Sequence, residues 1–345
     1  MRNPQAMVIK SKFGDYPVIF SSFEEVIKKY EGKRIVYVMD RNVHKLHHEK
    51  FRAISKDEIY LFDADEKNKS PEESFRIIGF FEDRHIDRSC IIAVIGGGIT
   101  QEAAGFACCI FLRGLKWILF PTTLLAMSDS CIGGKCGLNY NGAKNRVGVF
   151  YPPSETVIDT GFLSTLSCDR IIDGEGEIIK SCLLSPEYAS DAFSFSEDAI
   201  AEYIKKALYV KKGIIETDET EGGRRMLLNF GHTFGHALEA YTENRITHGK
   251  AVLWGMDIAM YVSMRMGYLN KADYIRAVSL IKSLYDFDIK IASPDLFLDF
   301  LKKDKKTRGK SVFFIMLKGF GEPFIENIEI DGCLRGLFLD WLAEN

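Results

Sequence analysis

Two histidines, His232 and His236, stand four residues apart in LLNFGHTFGHALEA (227–240), a stretch whose apolar spacing predicts a helix. Four residues is about one turn, so both imidazoles share a face. Core histidines satisfied by hydrogen bonds fit that pattern, and so does a metal ligand. A third histidine, His248, opens another helical run at THGKAV, and DGEGEIIKSCLL places Glu177 and Lys180 three residues apart on a further helix. A carboxylate and two imidazoles from three helices would make a divalent-metal site with open positions. By itself the Glu177–Lys180 pair reads as an exposed ion pair of little worth. No Glu follows His232 as in HExxH, which excludes a zinc-protease pattern. The remaining histidines, His44, His47, His48 and His85, are expected at the surface.

A second group of residues suits anions. VIGGGITQEAAGF follows a predicted strand and opens a predicted helix, where glycines let a phosphate approach the backbone and the helix end offers free N–H groups. The spacing is not G-x-G-x-x-G, because position 101 is Gln. The segment 121–148 holds Asp129, Lys135, Lys144 and Asn145 among five glycines with little periodicity. A long polar segment of that kind reads as a functional loop, and its lysines suit a phosphate or carboxylate.

The elements that must position these residues fall into two textures. RIVYVMD (34–40), EIYLF (58–62), CIIAVIGGG (90–98) and WILF (117–120) read as buried strands alternating with helices, which implies a mostly parallel sheet. Ser22 with Glu25 and Ser70 with Glu73 fit the capping box, with Pro71 in the first helical position. From about residue 161 the spacing is helical, interrupted by one late strand, SVFFIML (311–317). The reading is therefore α/β: a Rossmann-like domain over 1–160 and a mainly α-helical domain over 161–345. A formal net charge of −3 argues against a general nucleic-acid or membrane-surface binder. No apolar run reaches the ~20 residues of a bilayer span, and no signal peptide is evident, so a cytoplasmic protein is expected. Eight scattered cysteines without a CxxC pair read as reduced, mostly buried thiols.

Taken together, the motifs resemble dehydroquinate synthase, within the sugar phosphate cyclases. The resemblance runs from about residue 35 to 320 and rests on GGG…AGF, RG…PTTLLA.SDS..GGK, AKN, E.IK, DE.EGG.R.LLN.GHT.GHA.EA, THG.AV and DKK in order. It implies an NAD-binding α/β domain, a helical metal-binding domain, an active site between them and a homodimer. The implied reaction takes a seven-carbon sugar acid phosphate to 3-dehydroquinate by transient oxidation with NAD+, β-elimination of phosphate, return of the hydride, ring opening and aldol closure.

The resemblance also implies residue roles. Glu177, His232 and His248 match the ligands of one divalent metal, Zn2+ or Co2+, leaving His236 to face the substrate phosphate with Lys135 and Asn145. Lys211, Arg225 and Lys305 match residues that face the substrate carboxylate, although singly each reads as a surface base. Lys180, Asn229 and Asp129 line the same pocket, Lys144 is shared by substrate and cofactor, and Arg113 matches an arginine that reaches a neighbouring subunit. Asp40, Asn42, Glu66, Lys69, Gly97, Gly98, Glu102, Thr122, Thr123, Phe162 and Thr165 match the NAD side. The departures cluster there: GGGVVGD is GGGITQE, DGExxK is ADEKNK and GKN is AKN. Two alternatives have different requirements. An inosose- or valiolone-type cyclase would not need the three carboxylate-facing bases together, and a metal-dependent polyol dehydrogenase would yield net NADH.

Overall fold

The computed structural model describes residues 6–243, 245–285, 289–303, 307–308 and 311–344. The chain divides into two compact units, Met1–Ser167 and Cys168–Asn345.

The first unit is built on a seven-stranded sheet. Its elements run β1 (Met7–Ile9), β2 (Tyr16–Phe20), α1 (Phe23–Lys28), β3 (Ile35–Asp40), α2 (Arg41–Leu46), α3 (His48–Phe51), β4 (Ile59–Phe62), α4 (Pro71–Asp83), β5 (Ile91–Gly96), α5 (Gly98–Ile110), β6 (Trp117–Pro121), β7 (Lys135–Tyr140), β8 (Ala143–Phe150) and β9 (Glu155–Ile158). Sheet order is β1-β2-β9-β6-β5-β3-β4, parallel throughout except at the β1–β2 edge. Strands β5 and β6 are buried along their whole length, as expected of central strands covered on both faces. The Ser22 and Ser70 hydroxyls accept the amides of Glu25 and Glu73, each at 3.3 Å, so both expected caps form. Three strands of this sheet, β1, β2 and β9, lie outside the four that the sequence pattern indicates. The 121–148 segment is not a loop. After a wide helical turn at Ala126–Ser130 it forms the β7–β8 hairpin, in which Cys136 and Leu138 are buried between less buried Lys135, Gly137 and Asn139. The glycines mask that period of two.

The second unit comprises α6 (Cys168–Leu183), α7 (Ile200–Ile215), α8 (His232–Tyr241), α9 (His248–Arg265), α10 (Lys271–Leu284), α11 (Pro294–Lys303), β10 (Thr307–Arg308), β11 (Ser311–Leu317), β12 (Pro323–Glu329) and α12 (Gly332–Glu344). The single late strand expected here is in fact the centre of an antiparallel sheet, β10-β11-β12. Strand β12 keeps every residue at least partly exposed, so it carries no apolar run to betray it. The helix expected over 227–240 starts only at His232, because Gly231 takes a left-handed turn (φ +76°) after a 3-10 turn at Arg224–Asn229.

Helix α9 is the core of this unit, with Ala251–Ser263 buried without a break. Glycines let α6 and α8 approach it. A Cβ on Gly255 would overlap the Gly231 carbonyl oxygen, and one on Gly249 would overlap the Asp173 backbone. The buried Asp173 carboxylate accepts the Gly249 amide at 2.9 Å, fixing α6 against the start of α9. All eight cysteines are free, five of them buried. No helix among the described residues is long and apolar enough to cross a membrane.

Candidate metal centre and active-site residues

The close approach of α6, α8 and α9 brings Glu177, His232 and His248 together. The Nε2 atoms of His232 and His248 lie 3.4 and 3.6 Å from Glu177 Oε1. That oxygen is buried and receives no hydrogen bond. A buried carboxylate oxygen left in that state is costly. A tetrahedral ion with bonds of ~2.0–2.1 Å holds neighbouring ligand atoms ~3.3–3.4 Å apart, so the spacing fits a divalent ion bound by three protein groups with an open position. His232 Nδ1 is 3.1 Å from the Phe230 carbonyl oxygen, and His248 Nδ1 is 3.3 Å from Glu239 Oε2. In both rings Nε2 is thereby the atom offered to Glu177.

The electrostatics favour a cation at this point. Burial opposes charge on His248, but the neighbouring Glu177 and Glu239 carboxylates outweigh that and raise its pKa to about 10. Burial likewise opposes charge on Glu177, yet Lys180 and His248 hold it well below the usual carboxylate range. Lys180 donates to Glu177 Oε2, and both side chains are almost fully buried, so this is not the exposed pair that the sequence suggests. His236 stands on the exposed side of α8, its ring 5.4 Å from that of His232 and 5.9 Å from that of His248.

Lys211 on α7 and Arg225 in the 3-10 turn are not surface bases. They are 6% and 3% exposed, and the Arg225 guanidinium donates to the Glu219 carbonyl. The Arg225 amide also donates to Asp218 at 2.8 Å. Asn229, at the end of the same turn, is half-buried. Lys305 lies outside the described residues.

In the first unit the Gly-rich turn ends β5 and starts α5. Gly97 caps the helix without any side-chain bond, leaving its first amides open to a ligand. A Cβ on Gly97 would press on Thr123 at 3.0 Å, and Gly98 has only Ser130 Oγ near, at 3.6 Å. Thr100 Oγ1 and Thr122 Oγ1 are buried with no hydrogen-bond partner. An open helix end, a glycine cradle and two orphan hydroxyls fit a phosphate-bearing cofactor. Thr123 differs, since its hydroxyl caps the Ala126 amide at 3.1 Å.

Glu102 does not face outward from this turn. It pairs with the buried Lys69 ammonium at 2.6 Å and accepts the Gly137 amide at 3.2 Å. Burial nevertheless raises its pKa despite Lys69. Lys69 also donates to Asn145 Oδ1 at 2.7 Å, and Asn139 bridges Glu66 (2.8 Å) to the Asn145 amide (3.0 Å). The structure thus gathers Glu66, Lys69, Glu102 and Asn145 into one network. Asn139, which the sequence pattern does not single out, is its link.

The other sites are more scattered. Asp40 caps Asn42 at 2.7 Å, burial raising its carboxyl. Phe162 is buried, and the exposed Thr165 meets His47 at 2.8 Å. Asp129 and Lys135 are half-buried, while Lys144 is exposed on β8. Arg113 is exposed on a turn where Leu112, Arg113 and Gly114 all have positive φ (50°, 63° and 118°).

Comparisons with known proteins agree with this architecture. Residues 59–173 match the 3-dehydroquinate synthase N-terminal family model, and residues 174–307 match the C-terminal one. A 3-dehydroquinate synthase of Clostridium tetani (strain Massachusetts / E88) is 34% identical, over 91% of this chain and 86% of its own. That of Clostridium acetobutylicum is 35% identical, over 89% and 90%. Among solved structures, 2-deoxy-scyllo-inosose synthase with carbaglucose-6-phosphate, NAD+ and Co2+ shares the fold at TM-score 0.86 and 24% identity, over 99% of this chain and 100% of that one. The 2-epi-5-epi-valiolone synthase of Streptomyces hygroscopicus subsp. jinggangensis 5008, with NAD+ and Zn2+, does so at 0.86 and 24%, over 98% and 100%. With both family models and relatives at this identity matched over most of its length, the chain belongs to the 3-dehydroquinate synthase family.

Proposed function

We propose that the chain is a 3-dehydroquinate synthase, a phosphorus–oxygen lyase that cyclises 3-deoxy-D-arabino-heptulosonate 7-phosphate to 3-dehydroquinate and releases phosphate, in aromatic amino acid biosynthesis. The observation that carries it is the buried Glu177–His232–His248 cluster in a chain of this family. When bound, NAD+ supplies a transient hydride acceptor and a divalent ion, Zn2+ or Co2+, supplies a Lewis acid.

The chain's own residues do the rest. Gly97, Gly98 and the open end of α5 bind the cofactor's phosphates, with Asp40, Asn42, Glu66, Thr122, Thr123, Phe162 and Thr165 around it. Glu102 orients Lys69 rather than touching the cofactor, and Lys69, beside the cofactor, in turn orients Asn145. Glu177, His232 and His248 hold the ion, and Lys180 donates to Glu177 Oε2 beside it. Arg225 and Lys211 bind the substrate carboxylate, where a desolvated guanidinium gains most from a bidentate contact. In the first unit Lys135, Lys144 and Asn145 suit a phosphate and Asp129 a sugar hydroxyl; in the second, His236 suits a phosphate and Asn229 a sugar hydroxyl. The protein works in the cytoplasm as a homodimer, with Arg113 presented from its left-handed turn to the second copy.

The test is turnover of the seven-carbon acid phosphate with catalytic NAD+ and one metal, following phosphate and the cyclic product by NMR. The expected result is one phosphate per 3-dehydroquinate and no net NADH. Net NADH would indicate a polyol dehydrogenase, and preference for a hexose 6-phosphate an inosose-type cyclase.

A further inference from the structure

We propose that Glu239 is a positioning residue of the metal centre, holding His248 by its Nδ1–H; the inference rests on the metal reading above. Glu239 lies on α8, seven residues after His232, and is 9% exposed. Its Oε2 is 3.3 Å from His248 Nδ1, while the Nε2 of the same ring is 3.6 Å from Glu177 Oε1. The two ligand histidines are therefore held differently. His232 is oriented by a neutral backbone carbonyl, that of Phe230 at 3.1 Å, whereas His248 is oriented by a carboxylate. A carboxylate accepting the distal N–H fixes the tautomer and raises the basicity of the ligating nitrogen. Of the two imidazoles, His248 is also the less confined, its side chain 33% exposed against 12% for His232. It is the ring that needs a second anchor.

The same atoms suggest a competing arrangement. His236, Glu239 and His248 also lie close enough to hold an ion. A second ion there would bind His248 through Nδ1 while Nε2 served the first, and a neutral imidazole has one N–H and one lone pair to offer. The ring would have to lose both protons. The hydrogen bond to Glu239 needs only the neutral ring, so the centre holds one ion.

The experiment strips metal from the full-length parent, Glu239→Ala and Glu239→Gln. Each is titrated with Zn2+ against a chromophoric chelator and with Co2+ by its visible spectrum, and the melting temperature of each apo-protein is recorded. The parent is expected to take up one ion per chain. Glu239→Ala should bind it about 10- to 100-fold more weakly with a changed Co2+ spectrum, from an apo-protein that still melts cooperatively. Glu239→Gln, which keeps an acceptor but not the charge, should fall between the two. If the Ala variant does not fold, the Gln variant decides alone. Parent-like affinity in the folded variants, or two ions per parent chain, overturns the role of Glu239. A parent that binds no ion overturns the metal reading and this inference with it.

Discussion

The two units bury charge very differently. Among the described residues of the first, only Lys69 and Asp159 are buried charged side chains. In the second, Asp173, Glu175, Glu177, Lys180, Lys211, Glu219, Arg225, Glu239 and Asp257 all are. The first unit offers a ligand backbone amides, neutral hydroxyls and one braced lysine. The second offers titratable groups held out of water, which are costly when charged unless paired or given a ligand. On the proposed reading, cofactor cradling depends on a turn, whereas metal binding depends on helix packing.

The most severe way to break that contrast is Gly255→Ala. The new methyl group cannot coexist with the Gly231 carbonyl, so α8 must move off α9. A loss of about 3 kcal/mol or more is expected, with metal content collapsing while NAD+ binding, read by fluorescence titration, persists. Full metal occupancy in a stable variant would show that the glycine contact does not set the site.

Arg225→Ala comes next. Removing a desolvated guanidinium should lower kcat/KM by about 10²-fold at unchanged metal content. The sequence alone, with Arg225 read as a surface base, leads one to expect an unchanged melting temperature. The structure alters that expectation: the guanidinium is buried on the Glu219 carbonyl, so the variant should also melt earlier. Normal turnover of the acid would remove Arg225 from the carboxylate pocket.

Asp257 sharpens the comparison through pH. It lies on α9 away from the ligands and accepts the Tyr274 hydroxyl at 3.0 Å, and burial raises its pKa to about 6. A carboxyl raised in the folded state adds stability below its unfolded pKa, and that contribution is lost as pH rises through about 6. At pH 8 the ionised group is thus a burden of up to about 3 kcal/mol. Asp257→Asn should raise the melting temperature at pH 8 and leave it nearly unchanged at pH 4. Equal effects at both pH values would refute the account of the burial.

The smallest effect belongs to the first unit. Glu102→Gln leaves Lys69 without its ionic partner but keeps a hydrogen-bond acceptor. NAD+ affinity should fall about tenfold, roughly 1.4 kcal/mol, with metal content untouched. Unchanged NAD+ affinity would separate the Lys69 network from the cofactor.

This division also explains what could be read from the sequence. Buried parallel strands such as β5 announce themselves as apolar runs, and S-x-x-E boxes mark their helices. The β7–β8 hairpin does not, because its alternation is broken by glycines, and β12 lies half in water. Glu177, His232 and His248 were legible as types able to share a metal, and the family resemblance selected among them. The burial of Arg225 and the turning of Glu102 toward Lys69 were not, since both depend on contacts between segments distant in the chain. Glu239 left a faint signal in GHALEA, one turn after His236 on the same helix, but only the meeting of α8 with α9 gives it His248 as a partner.

The most direct test of the central claim is anomalous diffraction from crystals grown with Zn2+, recorded on both sides of the zinc edge. One peak is expected, about 2 Å from the Glu177 carboxylate and from Nε2 of both His232 and His248. A peak on the His236–Glu239 side instead, or none at the cluster, would contradict it.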